Sequence, residues 1–152
     1  MIPLNSLLVS NFPTITGGRV GVGSGVGVAF QLRDDLLGVF GDPAVTGKPA
    51  GDDLREGKRT LLIAEAFDHA RQQGDHEATA LLESVLGDPD LDAERLRRTR
   101  DALVRLGAVS AVEDRITTLT SAALAALSTT TLAEPAATRL GELALVVTDR
   151  TS

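Results

Sequence analysis

The chain has no cysteine, no tryptophan and no tyrosine, and only four phenylalanines. Without a thiol there can be no disulfide framework, thiolate metal site or cysteine nucleophile, and a reducing compartment is compatible with the composition. Lys and Arg number 15 against 21 Asp and Glu, a formal charge of −6. Binding to a nucleic-acid backbone draws on a basic surface that releases counterions, so nucleic acid is not expected as a partner. No apolar run approaches the roughly 18–20 residues that cross a bilayer. The apolar start MIPLNSLLV has no basic residue before it, so neither a transmembrane segment nor a secretory signal is expected. The expectation is a soluble cytoplasmic protein.

What remains is aliphatic. Of 152 residues, 43% are hydrophobic, dominated by Leu, Ala and Val. That supports one domain with a helical lean. Residues 1–24 stand apart as a leader expected to be poorly ordered: Pro3 and Pro13 lead into GGRVGVGSGVG, where each glycine disfavours helix by about 1 kcal/mol. Residues 25–150 read as one helical unit. A first helix over about 25–40 stops at Gly41-Asp42-Pro43, and a loop follows to about Gly57. The next helix ends near Gly74. Asp75 and Asp92 are candidate N-caps, with Gly107 closing the second of those helices. Ser110 and Glu113 have capping-box spacing before an apolar face of Val112, Ile116, Leu119, Ala123 and Leu127. Pro135 suits the first turn of a last helix carrying Leu140, Leu143, Ala144 and Val147. No strand is expected, so the fold class is all-α.

One stretch is out of keeping with this pattern. FQLRDDLLGVFGDP places Asp34 and Asp35 side by side in a mostly apolar helix. Gln31, Asp34 or Asp35, and Gly38 share a face there. Carboxylates at such a place need cations nearby. The following loop, GDPAVTGKPAGDDLREGKRT, offers Lys48, Arg55, Lys58 and Arg59 among acids. Carboxylates and lysines together suit a magnesium-bound diphosphate, the metal meeting the acids and the oxygens meeting the lysines. Other readings of this chemistry fail on spacing. The loop is no P-loop, because five residues separate Gly41 from Gly47 and Pro49 replaces the Ser or Thr. GVGSGVG does not have dinucleotide-binding spacing. His69 and His76 read as surface residues, and Arg95, Arg97, Arg98 and Arg100 as a solvated face.

From about Gly27 onward, GVAFQLRDDLLGVFGDPAVTGKPAGDDLREGKRT resembles the second aspartate-rich motif and lysine loop of the trans-isoprenyl diphosphate synthases. This is the polyprenyl synthetase family, which includes farnesyl and geranylgeranyl diphosphate synthases. The resemblance implies part of an isoprenoid-synthase helical bundle, in which magnesium holds an allylic diphosphate that ionises and is attacked by isopentenyl diphosphate. Carried onto this sequence, it makes Asp34 a magnesium ligand and Asp35 a second ligand or its close partner. Gln31 would contact the allylic substrate, Lys48 and Lys58 the diphosphate oxygens, and Asp53 a metal-bound water or a lysine. The family's third motif aspartate would stand at position 38, where this chain has Gly38. Asp42, a turn further on, is a candidate substitute. The family's first aspartate-rich motif and its isopentenyl diphosphate residues are absent. The chain alone is therefore expected to be inactive, with isopentenyl diphosphate a substrate only if the missing half is supplied. The implied assembly is a homodimer or a heteromer with a full-length synthase. A noncatalytic subunit that modulates such a synthase, and a bundle whose motif is a relic, are the competing readings.

Overall fold

The computed structural model describes residues 22–129 and, beyond them, positions 138, 139, 141, 142 and 146. It is built of helices, with no strand among the described residues: α1 (Val22–Phe40), α2 (Pro43–Thr46), α3 (Asp52–Arg55), α4 (Leu61–Gln73), α5 (His76–Val85), α6 (Ala93–Arg105) and α7 (Ala108–Thr129). The all-α expectation holds. Residues 1–21 of the glycine-rich leader lie outside the described residues. So do the apolar positions 140, 143, 144 and 147 of the helix expected after Pro135, although the described positions around them are helical.

Helix α1 begins at Val22, inside the stretch read as leader. The glycines do not prevent it because burial against the rest of the fold outweighs intrinsic propensity. Gly25 is itself buried. Ala29, Leu32, Leu36 and Val39 form the buried stripe of α1 at helical spacing. The helix lies chiefly against α7, and α4 packs on α7 beside it. The core joins that stripe to Leu62, Ile63 and Ala66 of α4, Leu82 and Val85 of α5, Leu103 of α6 and Val112, Ile116 and Leu119 of α7.

The helix boundaries follow from side-chain caps. Thr60 accepts from the Ile63 amide at the start of α4, Asp75 from Ala78 at α5, and Asp92 from Arg95 at α6. Gly74 closes α4 in the left-handed region at φ 66°.

One boundary differs from expectation. Helix α7 starts at Ala108, so Ser110 lies inside its first turn instead of capping it. Gly107, at φ 82°, lets the chain turn straight from α6 into α7, and its carbonyl accepts from the Ala111 amide at 3.1 Å. Glu113 does not reach back to a cap. It forms a two-pronged pair with Arg33 of α1, Nη1 to Oε1 at 2.5 Å and Nη2 to Oε2 at 2.9 Å.

The arginine run is also more than a solvated face. Arg97 is exposed and pairs with Glu94 and Asp101. Arg95, however, ties Asp88 and the Ser84 carbonyl to α6. Arg100 donates through Nε to the Val39 carbonyl at 2.7 Å and lies over the Phe40 ring. His69 is half-buried, not a surface residue, with Nδ1 2.9 Å from the Leu106 carbonyl.

Asp75 offers a stability test. The Ala78 amide, which it caps, and the Arg105 guanidinium hold its carboxyl below the ordinary 3.8. The folded state thus favours the charged form, a contribution present above pH 3.8 and lost as pH falls through the lower folded-state value. Asp75→Asn is expected to lower the thermal midpoint at pH 7. The gap to the parent chain should close in scans taken progressively below pH 3.8.

Candidate active site

Burial of the Ala29, Leu32, Leu36 and Val39 stripe turns the opposite side of α1 outward. Phe30, Gln31 and Asp34 are exposed there, and Asp35, Leu37 and Gly38 are half-buried. Gln31 Nε2 donates to Asp35 Oδ1 at 3.1 Å, which confirms the shared face but engages the amide expected to meet substrate. Burial raises the Asp35 carboxyl above its ordinary value. The Gln31 hydrogen bond opposes that shift, and the nearby charges of Asp53 and Asp34 add to it. A carboxylate in this setting is relieved by an added cation.

The loop after α1 is shaped by its own sequence. Asp42 caps α2, Oδ1 accepting from Ala44 N at 2.9 Å with Pro43 in the first turn, and Gly47 ends it at φ 69°. Lys48 follows at once and is exposed. Helix α3 is clamped to its own loop and to the connection between α5 and α6. Arg55 donates to the Ala50 and Leu91 carbonyls, and the Leu54 carbonyl accepts from Gly87 N at 2.8 Å. This clamp buries Asp53, 5% exposed, against α1. Lys58 Nζ donates to Asp53 Oδ1 at 2.6 Å and stands 3.2 Å from Glu56. The Asp53 hydrogen bond, ahead of other influences, pushes the lysine well above its usual range.

These pieces surround one cavity of about 370 Å³ lined by Asp34, Gly38, Asp42, Thr46, Lys48 and Asp53, among others. Asp34, Lys48 and Asp53 are therefore brought together as the sequence suggested, and Lys58 is tied to them through Asp53. Asp35 and Gln31 sit beside the cavity without lining it. Asp42 lines it, although one of its oxygens is taken by the cap. Among the described residues, no group of three or more His, Asp or Glu converges as a complete metal cage. Two features were beyond sequence reasoning. The Arg33–Glu113 pair spans 80 positions, its only signal being a charge in an apolar run. The fit of Asp53 against Gly38 left no signal in the sequence.

The described residues define a class of all-helical proteins with several acids and a lysine lining an open cavity. The comparisons with known proteins narrow this class. Residues 20–103 match the polyprenyl synthetase family model, and the chain belongs to that family. It is 43% identical over 94 residues to the geranylfarnesyl diphosphate synthase of Aeropyrum pernix, covering 62% of this chain and 27% of that one. It is 42% identical over 73 residues to the geranylgeranyl diphosphate synthase of Mycobacterium tuberculosis, covering 48% of this chain and 21% of that one.

Among solved structures it resembles the geranylgeranyl pyrophosphate synthase of Corynebacterium glutamicum, complexed with isoprenyl diphosphate and magnesium. There the TM-score is 0.79 at 44% identity, covering 86% of this chain and 36% of that one. It also resembles the polyprenyl synthase of Caulobacter crescentus, complexed with calcium and isoprenyl diphosphate. That match has a TM-score of 0.69 at 33% identity, covering 86% of this chain and 38% of that one. The chain thus spans roughly a quarter of the curated relatives' length. Its fold is that of part of an isoprenyl diphosphate synthase. No helix among the described residues is long and apolar enough to cross a membrane.

Proposed function

We propose that this chain is the diphosphate-handling C-terminal part of a magnesium-dependent prenyltransferase, one that condenses an allylic diphosphate with isopentenyl diphosphate when complete. The observation that carries this reading is the convergence of Asp34, Lys48 and Asp53 on one cavity, with Lys58 tied to its rim. The residues fit magnesium in its usual mode. That ion is held by one or two carboxylates, and phosphate oxygens and waters complete the octahedron, so a protein cage of three acids is not required. Asp34 would hold the metal, with Asp35 beside it. The unfavourable burial of Asp35 supports a cation there. When bound, magnesium supplies positive charge against the diphosphate as the allylic C–O bond breaks.

The chain's own residues do the rest. Lys48 and Lys58 present ammonium groups to the diphosphate oxygens, stabilising charge that grows on the leaving group. Asp53 fixes Lys58, and Gln31 and Phe30 lie along the exposed face of α1, where the allylic chain would run. Isopentenyl diphosphate would bind through the portion of the relatives that this chain does not span, so catalysis by the chain alone is expected to be negligible. The partner-subunit reading is not favoured, because acids and lysines around a cavity serve a ligand better than a packing surface. A homodimer, or assembly with a full-length synthase, in the cytoplasm belongs to the same proposal. The cysteine-free composition is compatible with that compartment.

Calorimetric titration of geranyl or farnesyl diphosphate into the chain tests this. Binding is expected with magnesium and should weaken greatly without it. Asp34→Ala or Lys48→Ala should each reduce affinity by about tenfold or more, the loss of one charge-assisted contact. Magnesium-independent binding, or an affinity in both variants unchanged from that of the parent chain, would refute the assignment.

A further inference from the structure

Position 38 presents a glycine where the resemblance calls for an aspartate, and the structure gives that glycine a reason of its own. A Cβ built on Gly38 would overlap the Asp53 carboxylate, with both Oδ2 and Cγ inside contact distance and Oδ1 at 3.0 Å. Asp53 is buried, and its segment cannot easily retreat. Gly51, just before it, is left-handed at φ 73°, and a Cβ there would meet Leu96. Arg55, just after it, is tied to Ala50 and Leu91. The overlapping atoms thus belong to a short side chain on an anchored turn, so a Cβ at position 38 is accommodated only if the Asp53 carboxylate leaves its slot. From this slot, Oδ1 accepts from Lys58 Nζ, and the Lys58 amide donates to the Asp53 carbonyl at 2.9 Å. Lys58 remains 44% exposed, and its head is held to Asp53, which with Gly38 lines the cavity.

We propose that Gly38 is a positioning residue: its missing side chain forms the slot in which the Asp53 carboxylate sits, and that carboxylate fixes the Lys58 ammonium toward a diphosphate ligand. This rests on the diphosphate-binding reading above and deepens it. With glycine at position 38, the carboxylate at this point of the cavity is that of Asp53 on α3, one acid that both faces the cavity and orients a cation. Gly38, Asp53 and Lys58 work as one unit.

The test separates this unit from the binding assignment. An ammonium group hydrogen-bonded to a carboxylate reacts slowly with an amine-directed acylating reagent, and peptide mass spectrometry can follow Lys58 with exposed Lys48 as the internal standard. Gly38→Ala and Asp53→Asn are each expected to speed Lys58 acylation about threefold to tenfold relative to Lys48, as a charge-assisted hydrogen bond is lost. Asp53→Asn keeps the shape of the slot and so reads out the contact if Gly38→Ala fails to fold. Gly38→Ala is also expected to lower the thermal midpoint, and Gly38→Ala/Asp53→Ala to recover much of that loss while Lys58 stays fast.

A purely structural glycine would instead lower the thermal midpoint on Gly38→Ala and leave the Lys58 rate as in the parent chain. An unchanged Lys58 rate in folded Gly38→Ala or in Asp53→Asn would overturn the proposal. Titration of inorganic pyrophosphate with magnesium into the same proteins distinguishes the two claims. Weaker binding wherever Lys58 is fast supports both. Equal binding across the set overturns the ligand-orienting role, and no binding to the parent chain, with the acylation pattern intact, counts against the diphosphate assignment.

Discussion

Leu32→Ala is expected to destabilise the fold by about 2–5 kcal/mol, the range for removing a fully enclosed leucine whose cavity only partly collapses. At this chain length that corresponds to a fall of roughly 10 °C in thermal midpoint. Leu32 is 1% exposed and lies on the stripe by which α1 holds its place against α7 and α4. Phe30, two residues away and larger, is 48% exposed. Phe30→Ala should therefore change stability by no more than about 0.5–1 kcal/mol. Urea denaturation of the pair decides the matter. Comparable losses in the two variants would mean that α1 is not oriented as described, and the outward face carrying Gln31 and Asp34 would have to be redrawn.

Glu113→Ala should cost about 1–3 kcal/mol. Arg33 is 8% exposed, and its two hydrogen bonds to Glu113 bridge α1 and α7. Breaking a fully buried ion pair costs about 3–5 kcal/mol because a charge is left behind without its counterion. Here the Glu113 side chain is 42% exposed, so water can compensate in part and the smaller figure applies. Replacing both partners together, as Arg33→Met with Glu113→Leu, should recover most of the loss, since no buried charge is stranded. A double variant no better than Glu113→Ala would show that Arg33 contributes through packing and not through this pair. Because Arg33 immediately precedes Asp34, the single variant is also expected to weaken magnesium-dependent diphosphate binding. Titration at a temperature where both proteins are folded would detect this.

Much of the site was legible because its residues are close in sequence. Asp34, Lys48, Asp53 and Lys58 lie within one short motif, and local geometry explains most of their placement. Helical periodicity sends Asp34 outward, the Asp42 cap and Gly47 turn present Lys48, and the left-handed Gly51 opens the turn that carries Asp53. The failures of sequence reading are nonlocal. Ser110 and Glu113 have the spacing of a capping box, yet Glu113 is drawn to a buried guanidinium far back along the chain. The glycines of α1 predict weak helix, yet packing against α7 stabilises one from Val22. Arg100 and His69 look like solvated residues until their carbonyl partners, on α1 and at the end of α6, come into view.

Composition and periodicity by themselves determined the helical class, the aliphatic core, most helix boundaries and the set of acids and lysines available for chemistry. They could do so because caps, turns and amphipathic stripes arise from interactions over a few residues. Only the tertiary structure decided that Gly38 is filled by the Asp53 carboxylate and that Arg33 is neutralised by α7. Those outcomes depend on excluded volume and on the pairing of buried charges between segments distant along the chain. No local pattern encodes them.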